Sequence, residues 1–227
     1  MKARYNVGRL LGLLVLLAGA SVMHFIPSVA VAADKPPQEW DGLVRREGKL
    51  GHVYVRPNVE FKSYKNVRLD PVSVAFDKNW DPNRNSISRL STTDTQQIRD
   101  QMAKGFREVF AERLAKDGYA LVESDADDVL LVQAALINVY INAPDTMSSG
   151  RSRTYVMDAG RMTVVMQLAD SVTGQLLARV VDTKQGTSYA RLQWSSSVSN
   201  SAEARKIFTE WADALCRALD KLDGRAS

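Results

Sequence analysis

The chain has 227 residues, 45% of them hydrophobic and 25% charged, with a formal net charge of +4, one cysteine and two histidines. A single cysteine, Cys216, cannot close an intramolecular disulfide, so the fold must stand on packing. Two histidines, His24 and His52, leave no HExxH motif, and the sequence also lacks a Gly-rich phosphate loop, a CxxC pair and a nucleophile elbow.

Residues 1–33 read as a secretory signal peptide. Lys2, Arg4 and Arg9 form a basic start and Leu10 to Ile26 an apolar run. Ser28-Val29-Ala30-Val31-Ala32-Ala33 then supplies small residues, with cleavage expected after Ala32 or Ala33. The alternative is an uncleaved inner-membrane signal anchor, for which a run of about 17 residues, broken by Gly12, Gly19, Ser21 and His24, is short. Losing Lys2, Arg4 and Arg9 with the leader takes the net charge from +4 to +1. That is no electrostatic footprint for nucleic acid. Losing His24 as well leaves His52 alone, which excludes a two-histidine zinc site. The mature chain is therefore expected in the periplasm or secreted, with no nucleic-acid partner, no metal and no cofactor.

Residues 34–60 read as an extended N-terminal arm, pinned to the domain by Trp40 and Leu43 and containing a Gly-rich stretch around His52. A single domain is expected over 61–223, with a short tail at 224–227. Asn66 to Phe76 alternates as a strand, and Pro71, which has no N–H to donate, marks an edge or a bulge within it. Thr92-Thr93-Asp94 opens a helix to about Lys116 whose core stripe is Ile98, Met102, Phe106, Val109, Phe110 and Leu114; Asp117-Gly118 ends it. Tyr119 to Val122 is a short strand, and Val129 to Ile141 a central strand buried on both faces. After a loop over 142–158, Arg161 to Ala169 and Gln175 to Thr187 form a hairpin through Asp170-Ser171-Val172-Thr173-Gly174. A serine-rich loop, Ser195 to Ser201, leads to a last helix with Ala204, Phe208, Trp211, Leu215, Ala218 and Leu222 on one stripe, in which Cys216 is expected buried and inert. These elements predict an α+β fold, a mostly antiparallel sheet of about five strands with two long helices packed on one face.

Few constellations carry chemistry. Asp77 to Asn83 imitates a calcium loop, but Pro82 stands where glycine is needed and Ser88 where glutamate is needed, so an ordinary Asx-rich loop is expected. The acidic run Glu123-Ser124-Asp125-Ala126-Asp127-Asp128 reads as a solvated turn. Arg151, Arg153 and Tyr155, in a long loop, and Trp194, at a strand end among hydroxyls, are the candidate partner contacts.

Four segments resemble one bacterial envelope family. They are Gly42-Leu43, Tyr54-Val55-Arg56-Pro57, Tyr64-Lys65-Asn66-Val67-Arg68-Leu69-Asp70-Pro71-Val72, and the hairpin Asp170-Ser171-Val172-Thr173-Gly174-Gln175-Leu176-Leu177. Together they resemble domain of unknown function 3313 over roughly Trp40 to Leu222. The resemblance implies an envelope address. Its members are described as lipoproteins, yet Leu17-Ala18-Gly19-Ala20 has alanine where the lipidated cysteine would stand, so no lipid anchor is expected. The family brings no activity and no site residues.

The function expected from all this is a non-enzymatic binding or assembly module of the cell envelope, contacting another envelope protein and able to form a homo-oligomer through an exposed sheet edge. The alternative is a small-ligand-binding protein or hydrolase using His52 with a carboxylate or Cys216.

Overall fold

The structure is a computed structural model and describes residues 36–48, 50–59, 61, 64–81, 90–141, 154–156, 160–185, 193–195 and 197–223. The leader and the tail at 224–227 lie outside the described residues. In chain order the elements are β1 (Glu39–Trp40), β2 (Leu43–Arg46), β3 (His52–Val55), β4 (Asn66–Leu69), β5 (Ser73–Phe76) and α1 (Thr92–Lys116). They continue with β6 (Ala120–Leu121), β7 (Val129–Tyr140), β8 (Thr154–Val156), β9 (Arg161–Asp170), β10 (Leu176–Gln185), β11 (Gln193–Ser195) and α2 (Ser197–Asp223).

The fold is α+β with a nine-stranded sheet rather than one of about five, ordered β1-β2-β3-β10-β9-β7-β4-β6, with β5 also paired to β7. The arm is the main source of the difference. Its residues form β1, β2 and β3, an antiparallel meander joined to β10 through Val53↔Val180 and Tyr54↔Arg179. A left-handed pair, Asp41 (φ 53) and Gly42 (φ 73), turns β1 into β2. Aspartate and glycine are the residues that tolerate this turn. The strand expected over 66–76 is two strands, both parallel to β7. Leu69 pairs with Val132 and Ser73 with Ala135, so an extra residue bulges out around Pro71, where the missing N–H would otherwise break the ladder. With β4–β6 also parallel, the sheet is mixed.

Helix α1 begins at a capping box in which Asp94 N–H donates to Ser91 Oγ (3.1 Å) and Ser91 N–H to Asp94 Oδ2 (2.8 Å). It stops where Gly118 takes φ +86. Its expected stripe is buried except for Met102, which is partly so. Helix α2 starts at Ser197, inside the stretch read as a loop, because serine and asparagine favour a helix start as readily as a turn. Its buried face runs Phe208, Trp211, Ala212, Leu215, Cys216, Leu219, so Leu219 points inward where Ala218 was expected and Ala218 is exposed. Both helices cover one face of the sheet. Phe106, Phe110, Phe208 and Trp211 share a core with Leu130, Val132, Ala134 and Leu136 of β7 and with Met162, Val164, Met166 and Leu168 of β9. These β positions alternate, so they lie on one side. One aromatic contact joins the helices, Phe106 to Phe208 at 5.4 Å, and Phe106 also stacks on Phe110 at 4.0 Å within α1.

Candidate functional site

The two candidate aromatic contacts are brought together. β7 ends, β9 begins and β10 ends at one end of the sheet, where Gln185 is the register partner of Arg161. From there β8 interrupts the link between β7 and β9, and β11 the link between β10 and α2. β8 and β11 pair antiparallel as a separate two-stranded ribbon in which Trp194 is the register partner of Tyr155. Arg151 and Arg153 fall outside the described residues.

His52 and Cys216 are not brought together. His52 lies on β3 opposite Val181, and its Nδ1 accepts from an Arg45 guanidinium N–H at 3.3 Å. Asp182, the next residue on β10, reaches Trp211 of α2, so Val181 and His52 face away from the helices. Cys216 is buried on α2, on the other side of the sheet. Burial, then the Asp117 side chain, with Asp213 and Asp220 adding, push its thiol up to about 12. At about pH 8 that leaves on the order of one thiol in ten thousand ionised, against roughly a quarter for an unperturbed cysteine. The folded protein should therefore resist iodoacetamide at that pH and label fully in urea; rapid labelling of the folded chain would contradict the burial.

Four carboxylates of the two acidic stretches have partners. Asp77 accepts from Asn79 N–H (2.8 Å) and from Arg161 (3.0 Å), and the Asn79 contact above all holds its carboxyl below the usual range. Glu123 pairs with Arg107 at 2.8 Å, Asp125 with Arg68 at 3.1 Å, and Asp128 accepts from Asn66 at 2.6 Å. Among the described residues no group of three or more His, Cys, Asp or Glu side chains could hold a metal ion.

A polar row across the sheet face away from the helices was not anticipated. Arg179 is the register partner of Gln167, and Gln167 of Gln133. The Gln167 amide oxygen, turned toward the guanidinium, accepts from Arg179 Nη2 (2.7 Å) and Nε (3.0 Å). Gln133 donates to Asp70 at 3.0 Å, and Arg68 lies between Asp70 (3.7 Å) and Asp125. At the other end, Arg179 Nη1 is 2.8 Å from Asp41 Oδ2, and its guanidinium carbon sits 4.1 Å from the centre of the Trp40 ring. Nη1 makes no aligned hydrogen bond, so the Asp41 contact is an ion pair alone. The Arg179 side chain is 9% exposed and that of Asp41 56%. This is a nearly enclosed guanidinium held by an amide, a ring face and one loosely set carboxylate, and its fixed positive charge is chemically suited to a carboxylate or other anion. A sequence signal existed: three polar residues at the middle of long apolar strands.

Among solved structures the chain is similar to PelC from Paraburkholderia phytofirmans, there a dodecamer, at 14% identity and TM-score 0.36, covering 72% of this chain and 94% of that one. It is also similar to a minor lipoprotein from Acinetobacter baumannii at 12% identity and TM-score 0.34, covering 71% and 95%. At these TM-scores neither likeness carries weight for function. No curated relative matches the chain. The model of the family described as "Protein of unknown function (DUF3313)" matches residues 37–215, most of the length and every strand of the sheet, and the chain therefore belongs to the DUF3313 family.

Proposed function

We propose that this chain is an exported, non-enzymatic binding or assembly module of the bacterial cell envelope that contacts another envelope protein through the β8–β11 ribbon. The observation that carries this is the register pairing of Tyr155 with Trp194, two aromatic residues from segments far apart in sequence. Aromatic residues and arginine dominate the energetics of protein contacts, and Arg151 and Arg153 directly precede β8 in sequence. The basic, apolar and small-residue leader supports export, and Ala20 in place of a lipid-accepting cysteine supports a chain free of a lipid anchor. Among the described residues, no helix is long and apolar enough to cross a membrane. His52 and Cys216 on opposite sides of the sheet count against the form of the hydrolase alternative that pairs these two.

The test is in-cell chemical crosslinking followed by affinity recovery of the tagged full chain. Replacing Tyr155 and Trp194 together by alanine should remove the crosslinked partner band by tenfold or more, as two hot-spot truncations of roughly 1–2 kcal/mol each would do. Changing Val172, exposed in the β9–β10 turn, should leave it in place. A band unaffected by the double substitution would sink the ribbon as the contact.

A further inference from the structure

The buried guanidinium at Arg179 raises a question the ribbon does not answer: why a cation at the centre of a sheet is completed by a carboxylate from the extreme edge of it. Asp41 sits at the tip of the β1–β2 hairpin, in a left-handed conformation (φ 53) that costs a non-glycine residue energy. The hairpin is short, two residues paired with four, and its ladder to the domain runs only through Val44, Arg45 and Arg46 on β3. Beyond that ladder Leu43 is fully buried and Arg45 reaches His52 Nδ1 at 3.3 Å, and the remaining attachments converge on one place. Trp40 lies over Arg179 and edge-on to Tyr54 at 5.7 Å, Asp41 pairs with Arg179, and Tyr54 donates to Pro37 O at 3.1 Å. The foot of the hairpin, by contrast, is fixed elsewhere: Gly51 N–H donates to Asp182 Oδ1 at 2.7 Å, through the opposite face of β10.

We propose that the β1–β2 hairpin is a strap that opens as a unit while the rest of the sheet stays folded, and that Arg179 is the latch holding it shut. The anchor at Gly51 lies beyond Glu47 and Gly48, so residues up to Arg46 can leave without disturbing β3 or its pairing with β10. Opening frees the outer edge of β3 and strips Arg179 of Asp41 and Trp40, while Gln167 still holds the guanidinium in place. An unpaired strand edge beside a fixed guanidinium fits an extended segment that carries a carboxylate, with Asp41 as its internal stand-in while the strap is closed. This inference is independent of the β8–β11 ribbon.

Hydrogen exchange of the full chain, followed segment by segment, tests it. Amides of Trp40 to Arg46 should exchange at least tenfold faster than those of β7 and β9, the signature of a local opening rather than global unfolding. Asp41→Asn should speed hairpin exchange about fivefold and Arg179→Lys more than tenfold, with β7 and α1 unchanged. The double variant should add little to Arg179→Lys, because both substitutions release one latch. Should Arg179→Lys fail to fold, Asp41→Asn at the exposed tip still decides the matter. Hairpin amides exchanging only with β7 and β9, or an unchanged hairpin rate in Asp41→Asn, would overturn the proposal.

Discussion

Replacing Asp182 by alanine is expected to cost the fold roughly 3–6 kcal/mol, because two hydrogen bonds to a charged acceptor are worth about 1.5–3 kcal/mol each. Asp182 is 7% exposed and joins three separate parts of the chain. Its Oδ1 accepts from Gly51 N–H and its Oδ2 from Trp211 Nε1–H, both at 2.7 Å, so β10 is pinned to the end of the arm and to α2 by one carboxylate. Alanine would leave two donors without an acceptor, one of them the indole of a Trp 1% exposed. Asparagine keeps one oxygen and should cost about half as much. Gly51 is fitted to the same contact, since a Cβ there would stand 2.9 Å from Val181 O and 3.0 Å from Asp182 Oδ1. Urea denaturation followed by tryptophan fluorescence measures the loss; for a domain of this size the melting temperature should drop by about 10 °C. A loss under about 1 kcal/mol would mean that water replaces both donors' partner.

Trp211→Ala is the second large effect, about 3–5 kcal/mol, from a cavity at the junction of α2 with the sheet. The indole is among the largest fully buried side chains and lies 6.3 Å from Phe208, which in turn packs on Phe106 of α1. Trp211→Phe separates the two roles of the residue, keeping most of the volume and losing only the N–H. Combining it with Asp182→Ala should cost less than the two changes summed, by about 1 kcal/mol or more, since both break the same bond. Strict additivity would show that the indole contributes volume alone.

The helices and the central strands were legible because their signals are local. In α1 the stripe from Ile98 to Leu114, the Thr92-Thr93-Asp94 start and Gly118 each state their part within one or two turns, although the Ser91 cap itself emerged only in the structure. The apolar run of β7 is long enough to demand burial on both faces, and the β9–β10 turn is written in Asp170 and Gly174. Thr173 N–H donating to Asp170 (2.7 Å) closes that turn and holds the carboxyl below its usual range. The arm was not legible. Its strands are two to four residues long and carry Arg45, Arg46 and His52; they pair with one another, and only β3 joins them to the rest of the sheet, through β10 more than a hundred residues away. The same holds for the polar row. Gln133, Gln167 and Arg179 each stand as a lone polar residue within an apolar strand, and only the cross-strand register shows that they meet. Tyr155 and Trp194 were picked out one by one, from a long loop and from a strand end; that they are register partners across a ribbon was a property of the pairing alone.

The ribbon contact is tested most directly by placing a photo-crosslinking amino acid at Tyr155, at Trp194 and, for comparison, at Val172 in the full chain expressed in its own cells. Irradiation should give one protein adduct of the same mass from positions 155 and 194 and none from 172. Adducts at 172 alone, or no adduct from either ribbon position in a chain that is exported and folded, would contradict a binding module that works through β8 and β11.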